Sequence, residues 1–237
     1  FSYFKQRFAQ VTNPPIDALR EALKTDCAVY LGDDGNLLNP CADNCRVLEL
    51  PMPVITAEEL QRIREMERPE FQVETLSILY PVHQRLEDAL NGLFDACTAA
   101  YARGTNILIL SDRGVDDTHV AIPSLLAVSA LEQFLVQHRM RTAVSGVLES
   151  GEPLCEDGQI AKPTGQAIRD YNQALTDAIL HIASKMGVST IQAYQSAQLF
   201  EAIGLDADLM ERYFTHTLYR LGGKSLLDLE ADVRYHH

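Results

Sequence analysis

The chain has 237 residues, of which 46% are hydrophobic and 22% are charged, and this composition is ordinary for a globular protein with a sizeable core. Its formal net charge of −13 argues against a protein that binds the phosphate backbone of nucleic acids, because such proteins need clustered lysine and arginine. No apolar run approaches the roughly eighteen residues of a membrane-spanning helix, and the N-terminus lacks the apolar region of a signal peptide. We therefore expect no nucleic acid and no membrane among the partners.

The five cysteines are scattered and odd in number, which fits a reducing compartment better than a disulfide framework. Cys41 and Cys45 lie four residues apart, but no second pair and no histidine stands at the spacing of a zinc finger. Cys97 falls on the apolar stripe of a predicted helix, where a small buried hydrophobic side chain is expected. The sequence therefore predicts a cytoplasmic protein without a metal site.

The first part of the chain contains short elements between turns. Pro15 can begin a short helix that runs to about Lys24, because the first helical position needs no N–H group. The segment Asp33–Asn36 is typical of a turn. Thr56–Glu59 has the pattern of a capping box and predicts a helix that ends at about Glu67.

Strands and helices alternate in the middle of the chain. The apolar run Leu76–Tyr80 predicts a first strand, and the continuous apolar run Asn106–Leu110 is typical of a strand buried on both faces. A third strand is predicted over Thr142–Leu148. Apolar residues at spacings of three and four predict helices between them, over Leu86–Gly104 and from Pro123 to about His138. This alternation is typical of right-handed crossovers under a parallel sheet.

From Leu154 onward the sequence is mainly helical, after a turn at Asp157-Gly158. A helix over Gly165–Ser184 is expected to be capped by Thr164. Its predicted apolar face contains Ile168, Tyr171, Leu175, Ile179 and Ile182. The later predictions are a helix that reaches Ile203 and stops at Gly204, a short helix at Asp206–Phe214, a break at Gly222-Gly223 and a helix at Ser225–Val233.

These elements predict an α/β protein in two parts. Residues 1–153 would form a three-layer domain with a small, mostly parallel sheet. Residues 154–237 would form a helical C-terminal portion.

Polar side chains follow two of the predicted strands, where ligands bind in α/β sheets. They are Ser111, Asp112 and Arg113 after the second strand, and Glu149, Ser150 and Glu152 after the third. The preferred interpretation is structural, with Asp112 and Arg113 paired with each other or capping the next helix. No H-E-x-x-H, G-x-S-x-G, Walker A or G-x-G-x-x-G motif occurs, so the residues alone do not identify a reaction.

A second candidate is Ser184–Gly204, where a turn at Lys185-Met186-Gly187 precedes a predicted helix. Such a turn offers free backbone N–H groups to an anion, and Lys185 adds a positive charge. Many helix starts share these features and bind nothing, so this signal is weak by itself.

Several stretches resemble the large subunit of bacterial glutamate synthase. Arg7–Asp17 resembles the opening signature of that enzyme's central domain, and Leu110–Gly114 and Val147–Pro153 resemble two later central-domain motifs. Ser184–Thr190, together with Phe200–Leu205, resembles the start of the FMN-binding domain. The resemblance covers nearly the whole chain and divides it at residues 153 and 154.

The resemblance implies a chemistry for the intact family. Those enzymes transfer ammonia, released from glutamine, onto 2-oxoglutarate and reduce the product through FMN and an iron–sulfur cluster. The residues implied to lie against the flavin are Ser184, Lys185, Met186, Gly187, Ser189, Thr190 and Gln192. The sequence contains neither the glutaminase domain nor the cysteine spacing of the cluster, and a (β/α)₈ barrel needs around 250 residues of its own. We therefore expect weak or absent FMN binding and no catalytic residues in this chain.

Between Pro153 and Leu154 the family continues with a segment that this chain lacks. The sequence thus resembles a fragment or minimised form of glutamate synthase, expected to be a structural connecting domain without turnover by itself. Its expected partners are the remaining domains or the small subunit. Two alternatives stay open, namely part of a complete flavin-dependent enzyme and a non-catalytic interaction module derived from the domain.

Overall fold

A three-stranded parallel sheet lies at the centre of the protein. The computed structural model describes residues 2–7, 14–150, 164–195 and 197–237. The strands are β1 (Phe4–Gln6), β2 (Val29–Gly32), β3 (Val47–Leu50), β4 (Val73–Ser77), β5 (Leu79–Pro81), β6 (Ile107–Ser111), β7 (His119–Ala121), β8 (Ser145–Glu149), β9 (Phe200–Leu205) and β10 (Leu218–Lys224). The helices are α1 (Glu21–Lys24), α2 (Ala57–Arg64), α3 (Leu86–Ala102), α4 (Ser124–Gln137), α5 (Thr164–Lys185), α6 (Ile191–Tyr194), α7 (Ala207–Tyr213) and α8 (Leu226–His236).

The central sheet has the strand order β4-β6-β8, and both pairs are parallel. β6 is buried along its whole length, as the continuous apolar run predicts. The predicted first strand is divided: β4 ends at Ser77, and β5 pairs with β7 in a separate antiparallel ribbon. Sequence analysis missed β7. The predicted small, mostly parallel sheet with helical crossovers is confirmed.

Alternate residues of β6 contact opposite layers, which produces the predicted three-layer arrangement. Leu108 and Leu110 belong to the large core cluster formed with α3, α4, α7 and α8. Ile107 belongs to a smaller cluster with Ile63 of α2 and Leu31 of the β2–β3 hairpin. The same sheet therefore packs against helices on one side and against a hairpin with a helix on the other.

Several helix boundaries follow from local capping. Thr56 and Glu59 form the predicted capping box, with the Glu59 N–H donating to the Thr56 hydroxyl at 3.2 Å, and α2 ends at Arg64. Asp206 accepts the Leu209 N–H at 2.8 Å and so begins α7. The helix predicted from Pro15 is shorter than expected, since only the four residues of α1 are helical.

The predicted apolar face of α5 is only partly covered, because Leu175 and Ile179 are half-buried and the other three residues are not. Ile168, Tyr171 and Ile182 are exposed, whereas the buried residues are small or polar: Ala167, Thr176, Ala183 and Ser184. Thr176 Oγ1 lies 3.6 Å from Met52 Sδ, so the helix approaches the rest of the protein through its smaller side chains. The side of α5 that is buried depends on the surface it packs against. The apolar periodicity of the helix therefore did not identify all of its buried residues.

The predicted helix that reaches Ile203 is wrong. α6 has only four residues, and Phe200–Leu205 forms the strand β9 between β1, which is antiparallel, and β10, which is parallel. Pairing on both sides of β9 outweighs the helical propensity of this stretch. The C-terminal portion is helical as predicted, with two strands in addition.

The glycines at the predicted break, Gly222 and Gly223, lie within β10, at a point where its pairing with β9 shifts register between Leu221 and Lys224. A Cβ atom on Gly223 would lie 2.3 Å from the carbonyl oxygen of Gly204. The absence of a side chain at Gly223 therefore permits the close approach of the two strands. The predicted turn at Asp157-Gly158 lies outside the described residues.

A buried carboxylate joins the C-terminal helix to the start of α3. Glu230 of α8 accepts the Leu86 N–H at 2.7 Å, at a helix start that has no cap from its own side chain. Arg234 pairs with Glu230 at 2.7 Å and donates to the Val82 and Gln84 carbonyl oxygens. These contacts stabilise the N-terminus of α3 from a distant part of the chain.

Among the helices that the structure describes, none combines the length and the apolar character needed to cross a bilayer.

We predict that Gly223→Ala destabilises the protein by about 2 kcal/mol or more, because overpacking against a backbone oxygen has no flexible side chain to relieve it. Urea denaturation measures the effect. Gly222→Ala is the matched control, since nothing lies within 4 Å of its Cβ position. Equal stability of the two variants would contradict the close approach of Gly223 to the Gly204 backbone.

We also predict that Glu230→Ala lowers the free energy of unfolding by about 2–3 kcal/mol, because a helix N–H and an arginine lose a buried partner. Asp232→Ala on the same helix removes only a half-exposed ion pair with Lys224 and should have a much smaller effect. Thermal unfolding followed by circular dichroism distinguishes the two. A loss no larger than that of the control would show that Glu230 does not stabilise the start of α3.

Candidate functional site

The polar residues at the carboxyl edge of the central sheet form one connected network. Ser111 and Glu149 are register partners at the ends of β6 and β8. The Ser111 hydroxyl donates to Glu149 Oε2 at 2.6 Å, and Glu149 is only 8% exposed. Parallel strands end at the same edge, so the sequence correctly grouped these residues.

Two arginines also donate hydrogen bonds to the Glu149 carboxylate. Arg64, at the end of α2, donates from Nη2 to Oε2 at 2.8 Å. Arg113 donates from Nε to Oε1 at 2.6 Å. Both carboxylate oxygens therefore receive charge-assisted hydrogen bonds.

The environment of Glu149 keeps it ionised. Burial acts to raise its pKa, but the hydrogen bonds from Ser111 and Arg113 and the charges of Arg64 and Arg113 together hold the pKa below the ordinary value of 4.5. A general acid at neutral pH needs the opposite shift. The arrangement favours a structural ion cluster over proton transfer.

The expected pairing of Asp112 with Arg113 is wrong. Arg113 pairs with Glu149, while Asp112 accepts a hydrogen bond from the Ser150 hydroxyl at 2.6 Å. The Asp112 N–H also donates to the Glu149 carbonyl oxygen at 3.2 Å. Asp112 and Arg113 therefore each connect the end of β6 to the end of β8 by polar contacts. Glu152 lies outside the described residues.

Sequence analysis missed Arg64. It stands 85 positions from Glu149, within a helix whose other arginine, Arg62, makes an ordinary surface pair with Glu58. No local pattern separates the two arginines. Only the packing of α2 on the sheet brings Arg64 to the carboxylate.

The turn after α5 has a different geometry from the one predicted. Gly187 has φ +70°, its N–H donates to the Ser184 carbonyl at 3.0 Å, and the Val188 N–H donates to the Ala183 carbonyl at 2.9 Å. These two bonds define a Schellman motif, which ends a helix. The N–H groups of Gly187 and Val188 are therefore occupied, and the turn lies at the negative end of the helix dipole.

The other residues of this stretch divide into buried and exposed groups. Ser184 is 1% exposed, and Met186 Sδ accepts a hydrogen bond from Gln6 at 2.7 Å. Thr190 caps α6, and Gln192 donates to the Ala28 carbonyl at 3.2 Å. Lys185, Ser189 and Gln192 are exposed. The stretch thus offers a flavin an ammonium, a hydroxyl and an amide group, but not the turn N–H groups at Gly187 and Val188.

The structure gives no indication of a metal centre in its described part, where no group of three His, Cys, Asp or Glu residues is placed to hold an ion. Cys41 and Cys45 are free and exposed, and Cys97 is buried as predicted. Burial raises the pKa of the Cys97 thiol to about 11, so this thiol is unreactive. Cys155 lies outside the described residues.

We predict that Glu149→Gln lowers the free energy of unfolding by about 2 kcal/mol at pH 7, because Arg64 and Arg113 lose a common buried counter-charge. The pKa of Glu149 is lowered by folding, so its contribution is complete above pH 4.5 and is lost as the pH falls through the lower folded pKa. Urea titrations at several pH values should therefore show the difference between the two proteins shrinking only in acid.

The control for this test is Glu58→Gln, which removes the exposed pair with Arg62 and should change stability little at any pH. A difference between Glu149→Gln and the parent that grows as the pH falls would contradict the assigned direction of the pKa shift.

A family model described as "Glutamate synthase central domain" matches residues 1–165 and 153–206. The match continues past residue 153, so the stretch to residue 206 is also similar to the central domain; the boundary at residues 153 and 154 stays a prediction.

Curated relatives match along nearly the whole chain. The "Glutamate synthase [NADPH] large chain" of Bacillus subtilis is 35% identical over 265 residues, covering 100% of this chain and 17% of the relative. The "Ferredoxin-dependent glutamate synthase 2" of Synechocystis sp. is 34% identical, covering 100% of this chain and 18% of the relative. The "Glutamate synthase [NADH]" of Schizosaccharomyces pombe is 31% identical, covering 98% and 13%. The chain spans less than a fifth of these relatives, and it belongs to the glutamate synthase family as a part that corresponds to the central domain.

Proposed function

We propose that this chain is a structural connecting domain of a glutamate synthase and has no turnover by itself. The observation that carries the proposal is the Glu149 network, in which the polar groups at the ligand-binding edge of the sheet bind one another. In α/β proteins this edge usually holds the ligand. Here the charged groups at this edge bind one another and join α2, β6 and β8.

The reaction of the complete protein is proposed from the family. It would use glutamine and 2-oxoglutarate, with FMN and an iron–sulfur cluster in other parts of the molecule. The relatives' names specify NADPH, ferredoxin or NADH.

We further propose that flavin contacts, if the complete protein is assembled, involve Ser184, Lys185, Met186, Gly187, Ser189, Thr190 and Gln192. The exposure of Lys185, Ser189 and Gln192 supports this proposal. The Gly187 N–H is used within the helix cap, so a flavin would not receive a hydrogen bond from it. Binding by this chain alone is therefore proposed to be weak or nil.

A role as an interaction module is the second candidate. Ile168, Tyr171 and Ile182 are exposed along α5, and exposed apolar side chains on one helix favour contact with another domain. The proposed partners are the remaining glutamate synthase domains or the small subunit. A cytoplasmic location is proposed from Cys27, Cys41, Cys45 and Cys97, which are free.

A flavin titration with a coupled assay tests the proposal. The purified chain should not retain stoichiometric FMN, and it should not convert glutamine and 2-oxoglutarate to glutamate when a reductant is supplied. Retained flavin with turnover would contradict a purely structural role. If flavin binds, Lys185→Ala should weaken binding at least tenfold and Lys24→Ala should not, which separates the assigned stretch from general electrostatic attraction.

A further inference from the structure

We draw no further inference here: the strongest candidate, the cavity between α3, α7 and α8, carries no proposal because Arg85 and Arg212 on its wall already pair with Glu87, and the Tyr213 hydroxyl, which has no hydrogen-bond partner among the described residues, is itself too deeply buried to meet a ligand in the cavity.

Discussion

The burial of β6 on both faces is the constraint on which the rest of the structure depends. A strand whose five residues are all buried needs one layer above it and another below it. α3 and α4 provide the first layer, and α2 with the β2–β3 hairpin provides the second. The parallel neighbours β4 and β8 then require helical crossovers, which is why the middle of the chain alternates between strand and helix.

Two buried carboxylates join these layers at their ends. Glu149 connects β8 to β6 and α2, and Glu230 connects α8 to the start of α3. In both cases arginines and hydrogen-bond donors surround the charge, because a buried carboxylate without such partners would be strongly destabilising. Charged residues at the carboxyl edge of this sheet therefore support the fold.

The stretch around Gly187 illustrates how a family motif and a local geometry can differ in what they suggest. The motif resembles a flavin-facing segment, whereas the backbone forms a helix C-cap that uses the Gly187 and Val188 amides.

Local patterns in the sequence determined the parts that depend on neighbouring residues. These include the capping box at Thr56, the periodic helix that contains Cys97, the buried strand Ile107–Ser111 and the family itself. Tertiary structure decided the rest. Phe200–Leu205 became a strand because partners on both sides paired with it, and Arg64 reached Glu149 across 85 positions. The spacing of residues along the chain reflects short-range geometry, but it does not show which distant surfaces meet. Those tertiary contacts decided the strand β9 and the charge network around Glu149.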